Sequence, residues 1–121
     1  KHQLKKGVSG VRNSLKLFKK GYSIALMLDQ RVSEGIRANF FNEPALTTTI
    51  PAQFVKKFQC KIVPIYIERY NKFYFKLKIK EAILFNENES EESITLKLNK
   101  IIEEMIISNP DQWIWSHNRW K

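Results

Sequence analysis

The stretch from Ile24 to Thr48, IALMLDQRVSEGIRANFFNEPALTT, sets the narrowest limits on what this chain can become. Ser23 to Leu28 is a short apolar run that stops at Asp29-Gln30. A run that short, bounded by polar residues, predicts a buried strand. A polar loop is expected from Asp29 to Leu46, broken by Gly35 and carrying Phe40-Phe41 and Pro44. Thr47, Thr48 and Thr49 then offer hydroxyl caps for a helix. Strand, acidic residue at its carboxyl end, long loop and capped helix form the layout of a ligand-binding edge. In open α/β sheets, ligands collect outside the carboxyl ends of the strands. The loop is also longer than the two to about six residues usual for a βα connection, and such long loops tend to be functional.

On either side of this stretch the periodicity is helical or alternating. Val8, Val11, Leu15 and Phe18 lie on one helical face, with Lys16, Lys19 and Lys20 on the other and Gly21 as the stop. The second helix is expected from about Thr48 to Gln59, with Pro51 in the first turn, where its missing N–H has no intrahelical partner. A second strand is expected over Lys61 to Glu68, placed at an edge or bulge by Pro64. Strand, helix and strand would make a βαβ unit with a right-handed crossover. Asn71-Lys72 reads as a hairpin turn into a strand from Phe73 to Leu84. That strand alternates Phe73, Phe75, Leu77 and Ile79 with Tyr74, Lys76, Lys78 and Lys80. A last helix, about Glu92 to Ser108, is capped by Ser90 or Ser93 and stopped by Asn109-Pro110. The expected class is α/β: a mixed sheet with a βαβ unit and an antiparallel hairpin, flanked by helices. With 121 residues, one domain is expected.

Charge narrows the partners. Lys1 to Lys80 carries 17 basic against 4 acidic residues, a surplus of +13, and the remainder carries −4. A basic body of this kind favours nucleic acid, an anionic leaflet, phosphorylated substrates or an acidic carrier protein. The single cysteine, Cys60, cannot form an internal disulfide and fits a reducing compartment. No apolar run approaches the roughly 18 to 20 residues of a membrane-spanning helix, and no signal peptide is visible. The chain begins at Lys1, so it reads as a piece of a longer protein.

Candidate chemistry is sparse. His2, His117 and Cys60 stand at no metal-ligand spacing. The four glycines form no phosphate-cradling loop. Cys60 reads as a small buried thiol. Asp29 is the one carboxylate well placed by the sheet argument, and it could equally cap its loop or pair with Arg31 or Arg37. His117 lies among Trp115, Arg119 and Trp120, and a structural role is the simpler reading. All three tryptophans fall in the last nine residues, and their density predicts that at least two bury against the core.

The combination LDQ, a glycine-bearing loop, FFNEPALTT, IVPIYIER and the ending NPDQWIWSHNRW resembles the bacterial lipid A biosynthesis acyltransferases, the late lauroyl and myristoyl transferases of the lysophospholipid acyltransferase superfamily. The resemblance runs from about Val11 to Trp120, with PDQWIWSHNRW its most specific part. The family's usual FFG reads Phe40-Phe41-Asn42 here, and asparagine keeps a tolerance for positive φ. The resemblance implies transfer of a fatty acyl chain from acyl-carrier protein to a hydroxyl of a lipid A precursor. It places the reaction at the cytoplasmic face of the inner membrane, against an anionic lipid surface and without a cofactor. It also implies an H-x4-D/E motif, whose histidine deprotonates the acceptor hydroxyl. Five residues past His2 is Gly7, and His117 has no residue at that distance. The chain therefore resembles the carboxyl-terminal half of such an enzyme, with no catalytic residue of its own and the dyad expected upstream. The substrate-binding candidates are Asp29, Gln30, Arg37, Phe40, Phe41, Thr47, Thr48 and Arg69. Arg37 and Arg69 would contact phosphate or carboxylate, and Phe40 and Phe41 would line the acyl channel or pack as ordinary core. The competing readings are a basic module that binds nucleic acid, without sequence-specific binding expected, or another anionic ligand, and a sister acyltransferase acting on glycerol phosphate or a glycolipid.

Overall fold

The computed structural model of the chain describes residues 3–4 and 7–121 and, within these, every side chain but that of Val8. Lys1, His2, Lys5 and Lys6 of the basic start, and Val8 as the first position of the apolar helix face, lie outside that description. The elements in order are α1 (Val8–Lys19), β1 (Ile36–Phe40), β2 (Glu43–Thr47), α2 (Ile50–Phe58), β3 (Ile65–Tyr70), β4 (Tyr74–Ile79) and α3 (Glu91–Ser108). A single 3-10 turn, Pro110–Gln112, opens the tail.

The helices follow their sequence signals. Ser90 caps α3 by accepting the Ser93 N–H at 3.1 Å, and Glu91 and Glu92 complement the positive end of the helix dipole. The apolar stripe of α3 then packs on α2, where Ala52 and Val55 meet Ile94, Leu98 and Phe85 in one buried cluster. In α2, Pro51 falls in the first turn as expected, and Gln59 closes the helix in the left-handed conformation, donating its N–H to Val55. Phe18 of α1 meets Phe54 edge-on at 5.3 Å and Phe58 at 4.9 Å, so the carboxyl end of α1 touches α2 through this ring. Its lysines, Lys16, Lys19 and Lys20, stay in solvent.

The α/β class stands, but the sheet differs from expectation. Among the described residues there are two separate two-stranded antiparallel sheets, β1–β2 and β3–β4, and the βαβ unit and mixed sheet are not formed. Residues 22–28 carry no strand assignment. A strand needs a neighbour to accept its N–H and C=O groups, and β3 pairs with β4 alone. Leu26 and Met27 remain exposed, and Leu28 packs at the rim of the core. The expected loop from Asp29 to Leu46 pairs with itself instead, from Ile36↔Thr47 to Phe40↔Glu43.

The second hairpin is as predicted in kind and shorter in extent. Pro64 stands just before β3, where it has no ladder N–H to lose, and its C=O accepts the Lys80 N–H at 3.0 Å. An isolated bridge, Ile62↔Ile83, continues the pairing beyond the ladder. Ile65↔Ile79, Ile67↔Leu77 and Arg69↔Phe75 alternate with Tyr66↔Lys78, Glu68↔Lys76 and Tyr70↔Tyr74. On the polar face Lys78 pairs with Glu68 at 2.7 Å. That bond, then the Asn109 amide, holds the Glu68 carboxyl below its ordinary range.

On the opposite face, Ile65, Ile67, Phe75, Leu77 and Ile79 are all exposed, with Ile67 at 57% and Leu77 at 55%. A contiguous exposed apolar face of this kind favours association. The isolated chain should therefore self-associate as its concentration rises, seen as a growing sedimentation coefficient. The double variant Ile67→Lys/Leu77→Lys, with one charge on each strand of that pair, should shift it back to the smallest species. Sedimentation independent of concentration in the unsubstituted chain would overturn this expectation.

Candidate functional site

The site is organised by the turn between β1 and β2. Phe41 and Asn42 both take positive φ, 52° and 65°, between the paired residues Phe40 and Glu43. Positive φ at both central residues marks the two-residue turn that matches the twist of an antiparallel pair. Asparagine adopts it readily, so Asn42 suits its place. Phe41 is bulky, and such a conformation costs on the order of 1–3 kcal/mol unless its surroundings hold it. Glu103, buried on α3, does so: its Oε1 accepts the Phe41 N–H at 2.8 Å. The other oxygen of that carboxylate binds Lys100 Nζ at 2.7 Å, so the buried charge is paired.

At the far end of the same hairpin, Thr47 is a buried meeting point. Its hydroxyl donates to the Ala45 carbonyl at 3.0 Å and accepts from Arg119 Nη2 at 3.0 Å, with Asn99 Nδ2 at 3.5 Å. Asn99 also donates to the Asn39 carbonyl at 2.9 Å, tying α3 to β1. Gly35 passes so close that a Cβ there would lie 2.2 Å from the Thr47 carbonyl oxygen.

The tail closes over this hairpin. Phe40 is fully buried, with Trp113 and Trp120 each at 5.9 Å and Phe41 at 5.0 Å between ring centroids. Trp120 Nε1 donates to the Phe40 carbonyl at 2.9 Å. Trp115 stands edge-on to Trp113 at 4.6 Å and donates its Nε1 to Pro110 at 2.8 Å, with about half its surface in solvent. Two tryptophans thus pack into the cluster, as their density predicted. Arg119, 1% exposed, lies over the Phe40 ring at 5.2 Å and donates through Nη1 to the Leu46 carbonyl. Burial pushes its guanidinium below the ordinary value, and the negative charge of Asp29 pulls the other way.

Of the residues singled out from sequence, Phe40, Phe41 and Thr47 come together here, and the charge of Asp29 reaches the same guanidinium. Asp29 lies in a bend, half-buried, and not at a strand end. Thr48 is half-buried beside the group and accepts the Ile50 N–H at 3.3 Å, opening α2. Gln30 and Arg37 are exposed, and Arg37 stands opposite Leu46 in the hairpin. Arg69 stands elsewhere, in an open groove of about 620 Å³ lined with Ile67, Lys72, Phe75, Asp111 and Gln112. Its backbone is clamped by Gln112, which accepts the Arg69 N–H at 2.7 Å and donates to its carbonyl at 2.9 Å. Its guanidinium lies over Phe75 at 5.6 Å.

Sequence reasoning passed over Asn99, Glu103 and Arg119 as site residues. Asn99 and Glu103 stand four apart beside the apolar stripe of α3, and a polar pair at that spacing was the available signal. His117 is exposed. Cys60 is half-buried, and burial raises its thiol pKa, so the nucleophilic thiolate is scarce at neutral pH. Among the described residues no group of three His, Cys, Asp or Glu side chains could hold a metal ion, and no helix is long and apolar enough to cross a membrane.

Fold and cluster together define an α/β protein with an aromatic-walled edge, clamped by a buried cation. The model of the bacterial lipid A biosynthesis acyltransferase family matches residues 2–121, and the chain belongs to that family. No curated protein matches it at the level that marks a relative.

The close pass of Gly35 yields a stability test. Gly35→Ala should cost about 2–4 kcal/mol in urea unfolding, from overpacking and backbone strain together. Gly21→Ala is the control, with a positive φ of 85° and open space around a Cβ. Equal losses in the two variants would show that the approach to Thr47 is not required.

Proposed function

We propose that a protein carrying this chain transfers a fatty acyl chain from acyl-carrier protein to a hydroxyl of a lipid A precursor. We place the reaction at the cytoplasmic face of the bacterial inner membrane. The observation that carries this reading is the family match over residues 2–121. The half-buried Phe41 and the half-exposed Trp115, 5.8 Å apart between ring centroids, support it, since an acyl chain needs an apolar surface to lie on. The acceptor hydroxyl attacks the thioester carbonyl, the thiolate of the carrier leaves, and the ester forms. The thioester is already activated, so the reaction asks for no cofactor. It does ask for a base within hydrogen-bond reach of the hydroxyl. In this reading that base is a histidine of the family's dyad, supplied from outside these 121 residues.

The chain then contributes the acceptor edge. In this reading Asp29, Gln30 and Thr48 line that edge, the buried Thr47 and Phe40 support it from beneath, and the half-buried Phe41 gives it an apolar surface. Arg69 and Arg37, both exposed, take the phosphates of the lipid or the acidic surface of the carrier. The net charge of +9 favours all three anionic partners: the carrier, the phosphorylated lipid and the leaflet. Nucleic acid is not a specific partner in this account. Of the lysines on β4, Lys78 is already paired with Glu68, and they lie on the face opposite Phe75.

The test is made in the full-length protein with an acyl-carrier-protein thioester and a hydroxylated lipid A precursor. Asp29→Ala should lower transfer at least about tenfold, a modest loss for a group at a reacting centre, with little change in melting temperature. Equal activity of variant and parent would leave Asp29 as a loop residue. No transfer by the parent to this acceptor would remove the acyltransferase reading.

A further inference from the structure

The tip of the β3–β4 hairpin is uncovered: residues 69–80 are all exposed. Asn71 and Lys72 both take positive φ, 46° and 62°, and the Phe73 N–H turns back to the Asn71 carbonyl at 2.7 Å. This turn leaves Phe73 84% exposed, between Tyr70, Tyr74 and Phe75. Tyr70 opposes Tyr74 on one face of the ribbon, and Arg69 opposes Phe75 on the other. Aromatic rings therefore stand on both faces of the tip. A folded partner docks on one face of a sheet, whereas a medium that surrounds the tip meets both. Charge points to the nature of that medium. Residues 65–80 carry five basic side chains against one acidic, Glu68, and Lys78 already pairs with that carboxylate. Among the described residues Arg69, Lys72, Lys76 and Lys80 form no ion pair. The tip thus stays cationic even with Asp111 lining the groove beside Arg69 and Lys72. Below the tip the tail braces the ribbon, where Gln112 binds both backbone groups of Arg69.

We infer that the β3–β4 tip is a membrane-contact element that dips into an anionic leaflet: Phe73 and Phe75 enter the acyl boundary, Tyr70 and Tyr74 sit at headgroup level, and Lys72 and Lys76 reach lipid phosphates. Tyrosine suits that depth because its ring is apolar and its hydroxyl stays wet. Long basic side chains lay their stems on apolar surface and carry their charge out to the phosphates. Arg69 already lies in this manner, with its guanidinium over the Phe75 ring at 5.6 Å. A second copy of the chain could cover the aliphatic rows further along the ribbon, but at the tip it would bring like charges together. This assignment deepens the acyltransferase reading, from which it takes only that the protein works at a leaflet.

The experiment places a polarity-sensitive dye on Phe73→Cys in the full-length protein, with Cys60 and any other cysteine replaced by serine. The protein is reconstituted in vesicles of phosphatidylglycerol and phosphatidylcholine in equal parts, or of phosphatidylcholine alone. In the anionic vesicles the dye should shift to the blue and be quenched by lipids brominated near the headgroup. The same dye on Glu104→Cys, at an exposed site of α3, should do neither. Lys72→Gln/Lys76→Gln should lower the ratio of inserted to free tip at least about tenfold, since each basic residue near an anionic surface is worth about fivefold. Both positions are exposed, so the variant keeps its fold, checked by an unchanged melting temperature. Equal behaviour of the two dye sites, or equal quenching in phosphatidylcholine alone, would overturn the proposal. A blue shift without lipid quenching that vanishes at a lower protein-to-lipid ratio would give the tip to a second copy and overturn it as well. Acyl transfer is measured in the same vesicles. Transfer without quenching removes the membrane tip and leaves the acyltransferase reading; quenching without transfer upholds the tip and removes that reading.

Discussion

The burial of one cation in the tail is the constraint to which much of this structure answers. Carbonyl and hydroxyl oxygens at Leu46 and Thr47 meet two of the donors of this deeply buried arginine, and its Nε is left without a partner. Those oxygens are available only if β2 is paired with β1 and the turn at Phe41-Asn42 is closed. The turn in turn depends on the Glu103 carboxylate, which binds the Phe41 N–H from the middle of α3. Hairpin, helix and tail therefore hold one another by polar contacts inside an apolar shell. Such networks are strong when complete and costly when one member is missing.

Helix α3 is the element that makes this possible. One part of its surface joins α2 through Ile94 and Leu98, and another carries Ile106 into the cluster around Phe40. Asn99 and Glu103 stand between the two apolar regions and reach the hairpin backbone. A purely apolar stripe would pack against the hairpin without fixing its register. The two polar side chains do fix it, since a slip of one residue would take Asn39 and Phe41 away from their partners and turn every side chain to the other face.

The helices were legible in the sequence because their signals are local: a period near 3.6, a serine cap, a proline in the first turn or just beyond the end. The β3–β4 hairpin was legible from alternation and from Asn71-Lys72, both of which take positive φ. The first hairpin was hidden. Its turn residues are phenylalanine and asparagine in place of an Asn-Gly pair, and its buried positions, Ala38, Phe40, Ala45 and Thr47, are mostly small or polar. The run from Ser23 to Leu28 misled in the opposite sense. Apolar composition shows that a segment prefers to be buried, but a strand is made by its neighbour, and no pattern within the segment reports whether one is there. At the site, Phe40, Phe41 and Thr47 could be picked out by type and position. Arg119 could not, because an arginine in a tail looks the same whether it ends in solvent or over a buried phenylalanine.

The tail run from Asn109 to Trp120 can be read as a set of joints. Asn109 binds Glu68 and Gln112 binds both backbone groups of Arg69, so its first turn grips the end of β3. Trp115 folds back on Pro110 and holds that turn closed. Trp113 and Trp120 then cover Phe40, and Arg119 takes Leu46 and Thr47. One short segment therefore grips both hairpins, which share no sheet. Arg69, offered as an anion contact, and Asp29, offered at the acceptor edge, stand on different parts of the fold. The tail links the two hairpins: it is bonded to the backbone of Arg69 at one end and to Leu46 and Thr47 at the other. A residue order that looks like an aromatic-rich terminus is, in contacts, the connection between the two hairpins.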